Sequence, residues 1–222
     1  MIILLGCSVG GSGKSTIAQN LAAAFTHKDK SVVLVDADLR KVTTRWGNKR
    51  KRNPKLKRID VRQHHGNIAS DVALLKQQYD VVIIDCGGFE SRELFSAIAV
   101  CDIMLIPFRV RRRDLESLED MEEIALKAKM HNLSMLMFSV LSQCPTLPTQ
   151  YPRIWDAEKA CKSFGLPALK SKTFTRNAYD DSDEFGMSVI EYTDRKACNE
   201  IINMANEIED IFKKMINGDA IL

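Results

Sequence analysis

The sequence is short of most features that would take it out of the ordinary globular class. Its six cysteines, Cys7, Cys86, Cys101, Cys144, Cys161 and Cys198, are scattered, with no C-x-x-C pair. That spacing argues against zinc ligand sets and a dense disulfide framework, and reads as small buried residues; a cluster-binding pair shared across a dimer is the alternative, without a motif. Long apolar runs are missing too. Val81 to Ile84 and Ile103 to Pro107 fall far short of the ~20 residues needed to cross a bilayer. The first residues carry no basic segment and run straight into a glycine-rich loop, so they read as a first strand, not a signal peptide. A soluble cytoplasmic protein is expected. No internal repeat or long linker appears, and 222 residues can bury a real core, so a single domain spanning 1–222 is expected. Hydrophobic residues at 45% and charged residues at 27% make global disorder unlikely on composition.

Acidic residues are absent from one segment. Arg40 to Arg58 holds ten of the 32 Lys and Arg residues and no Asp or Glu, so the rest of the chain is net acidic although the total is +3. Phosphate contacts from Lys49-Arg50-Lys51-Arg52, Lys55, Lys57 and Arg58 would be non-specific and salt-dependent, and no aromatics interleave this run to stack on bases. A solvated loop accounts for it equally well. His64-His65 has no further ligand set nearby and reads as a solvated turn. The last helix, from about Asp194 to Met215, carries Ile201, Met204, Ile208, Ile211, Phe212 and Met215 on one side. Its polar side mixes Glu207, Glu209 and Asp210 with Lys213 and Lys214, which suits core packing better than lying on a membrane.

Apolar strand-like runs alternate with helical patterns, which implies an α/β fold: three layers, with a mainly parallel twisted sheet covered by helices on both faces. Strands are expected at Ile2 to Gly6, Ser31 to Asp36, Ile59 to Arg62, Val81 to Asp85, Ile103 to Pro107, Ser134 to Leu141 and, briefly, Ala168 to Ser171. Helices are expected near 14–26, 67–77, 92–100, 113–130, 154–164 and 194–215. Residues 37–58 read as loop, with at most a helical turn at Thr43 to Trp46.

Between the first strand and first helix stands Gly10-Gly11-Ser12-Gly13-Lys14-Ser15-Thr16. Glycines let successive backbone N–H groups converge on an anion, and the helix start adds free N–H groups and a favourable dipole. Lys14 would reach the β- and γ-phosphates, and the Ser15 hydroxyl would ligate Mg²⁺. Strict G-x-x-x-x-G-K-[ST] spacing would put Gly at position 8, which is Ser8. Asp85, closing Val81 to Ile84, fits the acidic residue expected near the metal; helix capping is its alternative. Gly87-Gly88 could offer a backbone N–H to the γ-phosphate. Asp36 and Asp38 suit metal binding through water and orientation of the attacking water, with loop capping as the alternative.

Together these residues resemble the ParA/MinD family of P-loop ATPases, in particular the short ParA-type partition ATPases of plasmids. The resemblance extends to Tyr79 to Gly88, to Cys101 to Pro107 with Asp114-Leu115, and to Gly186 to Tyr192. It implies an ATP hydrolase, weak until stimulated, that dimerises around ATP and Mg²⁺ and binds DNA without sequence preference. It also implies a ParB-like or other cargo-binding adaptor, nucleoid association, and no membrane partner. By motif position Lys14, Ser15, Thr16, Asp36, Asp38 and Asp85 inherit the binding and hydrolysis roles. Lys170, Lys172 and Arg176 lie where relatives carry DNA-contacting residues, and Arg50 and Arg52 are further candidates. Val9 stands where the family carries a lysine that crosses to the partner's phosphates, and Leu39-Arg40 replaces the usual Pro-Gln. Arg109, Arg111, Arg112 and Arg113 could cap the dimer edge, contact DNA or replace that lysine. No N-terminal helix-turn-helix domain is expected. The alternatives are a ParA-like switch for cargo positioning or complex assembly without DNA, and a small-molecule kinase or ligase, for which no acceptor pocket is legible.

Overall fold

The computed structural model describes residues 1–6, 10–87, 91–111, 114 and 118–220, with the backbone alone at 119–121 and 124. Six strands form one parallel sheet: β1 (Ile2–Leu5), β2 (Val32–Asp36), β3 (Asp60–Gln63), β4 (Val81–Asp85), β5 (Ile103–Arg109) and β6 (Leu136–Ser142), in the order β3-β2-β4-β1-β5-β6. Helices α1 (Lys14–His27), α2 (Val42–Lys51), α3 (Ala69–Gln78), α4 (Arg92–Ile98), α5 (Leu118–His131), α6 (Tyr151–Ser163), α7 (Ala178–Glu184) and α8 (Arg195–Asn217) complete the described elements, with two 3-10 turns at Pro148–Gln150 and Val189–Glu191.

Strand alternation divides two cores. Ile2 and Leu4 of β1, with Val82 and Ile84 of β4, face the core shared with α3 to α6. Ile3 and Leu5, with Val81 and Ile83, face the core shared with α1, α2, α7 and α8. Because both faces are covered, the strands read as unbroken apolar runs. Helix α8 buries Ile201, Met204, Ala205 and Ile208, starts at an Asp194 cap and stops at Gly218 in a left-handed conformation. No helix among the described residues is long and apolar enough to cross a membrane.

Three expectations need correction. Thr43 to Trp46 is not an isolated turn but part of α2, whose inward face carries Thr43, Trp46, Gly47 and Arg50. The short strand expected at 168–171 is not a strand: this segment meets β6 only through the single bridge Ser139–Ala168, and a second bridge joins Cys144 to Phe174. Helix α7 has no counterpart in the sequence reading, because Ala178 to Glu184 is acidic and buries only Ala178 and Ser182. The expected helix over 113–130 is described from Leu118 onward. Ser8, Val9, Gly88, Arg112, Arg113 and Leu115 lie outside the described residues.

Candidate nucleotide site

The carboxyl ends of β1, β2 and β4 open on a cavity of about 540 Å³, lined by Gly10 to Thr16, Ala37, Asp38, Leu39, Arg40, Gly87 and Gln143 among others. The edge of a parallel sheet is where helix starts converge, and one such start is built for an anion here. Helix α1 begins at Gly13, held at φ 94, with no side-chain cap and no acidic residue in its first turn. Ser91 caps α4 and Asp194 caps α8, but α2, α3, α6 and α7 also start without a bond from their N-cap side chain, so the glycine loop and not the missing cap sets α1 apart. Uncapped N–H groups at a helix start need a partner from outside the helix.

Asp85 ends β4 and is 1% exposed. Its Oδ2 accepts the Thr43 hydroxyl at 2.6 Å, and the Ser15 hydroxyl lies near enough to favour the charged carboxylate. Oδ1 has no hydrogen-bond partner among the described residues. Burial raises the Asp85 pKa to about 6 against the Thr43 and Ser15 hydroxyls, and the Asp36 and Asp38 charges add to the rise. A buried carboxylate with an unpartnered oxygen beside a hydroxyl is a good donor set for a hard divalent cation.

Asp38 turns back onto its own loop, its Oδ1 accepting the Arg40 N–H at 2.9 Å. Its carboxylate lies against Gly87, so closely that a Cβ on Gly87 would overlap it. The ends of β2 and β4 are thus in contact at the cavity wall, a contact between residues 49 positions apart that no local pattern discloses. Asp36 takes the alternative role. Its Oδ1 accepts the Asp38 N–H at 3.1 Å, and its Oδ2 accepts the Thr44 N–H and hydroxyl at 2.7 and 2.6 Å. It is fully buried, does not line the cavity, and caps the first turn of α2.

Three of the five candidate DNA residues are occupied internally. Arg50 is 3% exposed and stacks over Trp46 at 5.3 Å, while its guanidinium forks onto Glu191 at 2.6 and 2.8 Å. It is a buried strut, not a surface contact. Lys172 bonds Glu158 at 2.5 Å and Arg176 bonds Glu200 at 2.7 Å. Lys170 and Arg52 stay exposed. Arg52 shares a groove of about 770 Å³ with Lys30, Lys51 and Arg58, at the amino ends of β2 and β3 and so at the opposite end of the sheet from the glycine loop. His64 pairs with Asp71 at 3.0 Å, and no metal-holding cluster of three or more His, Cys, Asp or Glu occurs among the described residues. The five described cysteines are free.

A parallel α/β sheet with a glycine loop, an uncapped helix start and a strand-end aspartate defines the P-loop nucleotide-binding class. Within that class, residues 8–214 match the CobQ/CobB/MinD/ParA nucleotide binding domain, and the chain belongs to this family. It is 24% identical over 202 residues to maintenance of carboxysome distribution protein A of Halothiobacillus neapolitanus, covering 90% of this chain and 92% of the relative. It is 31% identical over 118 residues to protein ParA of Rhizobium radiobacter, about half of each chain. Among solved structures it resembles the septum site-determining protein MinD with Mg-ADP from Pyrococcus horikoshii. There the TM-score is 0.73 at 17% identity, over 96% of this chain and 98% of that one.

Proposed function

We propose that this chain is a ParA-type switch ATPase that segregates DNA. It binds ATP with Mg²⁺, pairs with a second copy in that state, holds DNA without sequence preference, and is reset by hydrolysis that an adaptor protein of the ParB kind stimulates. The unpartnered Oδ1 of Asp85, buried beside the uncapped start of α1, carries the reading: such an oxygen is costly unless a ligand completes it. The N–H groups of Gly10 to Thr16 and the Lys14 ammonium would hold the phosphates, and Ser15 and Asp85 the metal, directly or through water. Bound Mg²⁺ supplies charge neutralisation between the phosphates. Asp38 lines the cavity against Gly87, which supports giving it the orientation of the attacking water, with the Gly87 backbone beside it.

The exposed cluster of Lys30, Lys51, Arg52 and Arg58, together with Lys170, supports non-specific phosphate contact. A second reading, cargo positioning or complex assembly without DNA, draws on the internal pairing of Arg50, Lys172 and Arg176, and on the likeness along most of the chain to a carboxysome distribution protein. Asp38→Ala separates the two. Loaded with ATP and Mg²⁺, it should release no phosphate, run as a dimer on gel filtration, and retard random duplex DNA in a salt-sensitive way. A dimer that leaves DNA unshifted at low salt would favour the cargo reading. A monomer in ATP would defeat both, and normal turnover would remove the role given to Asp38.

A further inference from the structure

Two strand-end carboxylates stand side by side in the sheet. Asp36 of β2 and Asp85 of β4 are register partners, so their side chains leave the same face at the same level. Like charges so placed repel. Two consecutive threonines of α2 take one each. Thr44 gives its N–H and its hydroxyl to Asp36 Oδ2 at 2.7 and 2.6 Å. Thr43 gives its hydroxyl to Asp85 Oδ2 at 2.6 Å. The outcomes differ. Asp36 has both oxygens engaged, since its Oδ1 accepts the Asp38 N–H, whereas Oδ1 of Asp85 has no partner among the described residues.

The Thr43 hydroxyl is itself directed. Gln19 donates from Nε2 to Thr43 Oγ1 at 3.3 Å. An amide N–H can only donate, so the Thr43 oxygen accepts there and its single proton is left for Asp85. The length of the bond to Asp85 is that of a charge-assisted contact between a hydroxyl and a carboxylate. Gln19, Thr43 and Asp85 are all buried, so water does not compete for these bonds.

Both helices that supply the chain of bonds are held in place. Gln19 lies one turn along α1 from Ser15, on the same face, so α1 brings Ser15 to the carboxylate and Gln19 to the group that grips it. Further along α2, Trp46 Nε1 donates to the Met187 carbonyl at 3.0 Å and Arg50 forks onto Glu191. Moving Thr43 away from Asp85 would therefore break buried bonds at more than one point of α2.

We propose that Thr43 is a positioning residue for the metal site: its hydroxyl fixes the Asp85 carboxylate through Oδ2 and reserves Oδ1 for Mg²⁺, directly or through water. This rests on the nucleotide reading above. Titration calorimetry of ATP on the full chain, once with Mg²⁺ and once with EDTA, gives the factor by which the metal raises affinity. Thr43→Val keeps the branched shape and removes the hydroxyl. It should cut that factor at least about tenfold, as loss of a bond to a charged group does, and change ATP affinity in EDTA less than about threefold. Thr43→Ser, which keeps the hydroxyl, should return the factor to within about threefold of wild type. Equal losses with and without metal would make Thr43 a packing residue of α2 and overturn the proposal, as would no loss, or a Thr43→Ser variant as impaired as Thr43→Val. If Thr43→Val does not fold, Thr43→Cys, whose thiol is a weaker donor, replaces it: a lowered factor supports the proposal and an unchanged one overturns it. Wild-type protein that binds no ATP, or binds it equally with and without Mg²⁺, would defeat the underlying reading, an outcome separate from any behaviour of the variants.

Discussion

Two buried carboxylates make opposite uses of the same chemistry. Glu191 is enclosed by donors: Arg50 supplies two at 2.6 and 2.8 Å, the Ser188 N–H one at 2.9 Å, and His27 contacts it at 2.9 Å. Burial alone would raise its pKa, but the bonds from Arg50 and His27 and the Arg50 charge outweigh that and hold it below the usual range. Asp85 is buried more deeply, one of its oxygens has no partner among the described residues, and its pKa is pushed up to about 6. The first site is complete within the fold and joins α2 to the turn before α8. The second is incomplete among the described residues, which is the ground for proposing a ligand there.

The sharpest way to break the contrast is to cut the complete site. Arg50→Ala strands Glu191 in the interior and removes the stack on Trp46. Stability should fall by about 3–5 kcal/mol, the range for leaving one partner of a buried pair uncompensated. Urea unfolding reads it. The double variant Arg50→Met, Glu191→Gln should regain most of the loss, since a buried pair is often no better than a neutral substitute of similar volume. A single variant within about 0.5 kcal/mol of wild type would show that water reaches Glu191 and that the strut is dispensable.

Cutting the incomplete site should do the reverse. Lys14→Ala removes a cation from the cavity lining without opening a core. ATP affinity should drop by about ten- to a hundredfold, the loss expected for a charge-assisted contact to phosphate, with a smaller shift of the urea midpoint than Arg50→Ala gives. Calorimetry and denaturation on the same preparation test both halves. Undiminished affinity would remove Lys14 from the phosphates, and a large fall in stability would mean that the loop is structural as well as receptive.

The same contrast explains what the sequence could disclose. The glycine loop, β1, β4 and Asp85 are legible because each lies within a short continuous stretch whose pattern carries its own physics. The Arg50–Glu191 strut is not, since its partners are 141 residues apart. Its charged residues made α2 look like solvated loop, although Thr43, Trp46 and Arg50 share one buried face. The capping contacts of Asp36 were hidden for a related reason. That this strand-end aspartate receives the first turn of α2 shows only once Thr44, eight residues on, is seen to donate to it. The bond from Arg109 to the Gly10 carbonyl spans 99 residues and depends on β5 lying beside β1, which the strand order reveals and the chain order does not.

A smaller stability effect than that of Arg50→Ala sets the two carboxylates directly against each other. Asp85 has its folded pKa above its unfolded one, so the native state holds the proton more tightly. The stability it contributes without ligand is full below about pH 4 and is lost as pH rises to about 6. Glu191, with its pKa lowered, runs the other way: its contribution is present above its ordinary value of 4.5 and is lost as pH falls. Asp85→Asn fixes the neutral form of the first group and leaves the second untouched. At pH 7 the unliganded variant should exceed wild type by up to about 3 kcal/mol, and the gap should close toward pH 4, where wild-type Asp85 is itself protonated. The acid limb of both curves, where Glu191 titrates, should coincide. Urea midpoints at intervals between pH 4 and 7 would show it. Curves running parallel throughout would mean that Asp85 holds its charge in the folded protein as easily as in the unfolded one, and that the unpartnered oxygen exerts no strain for a metal ion to relieve.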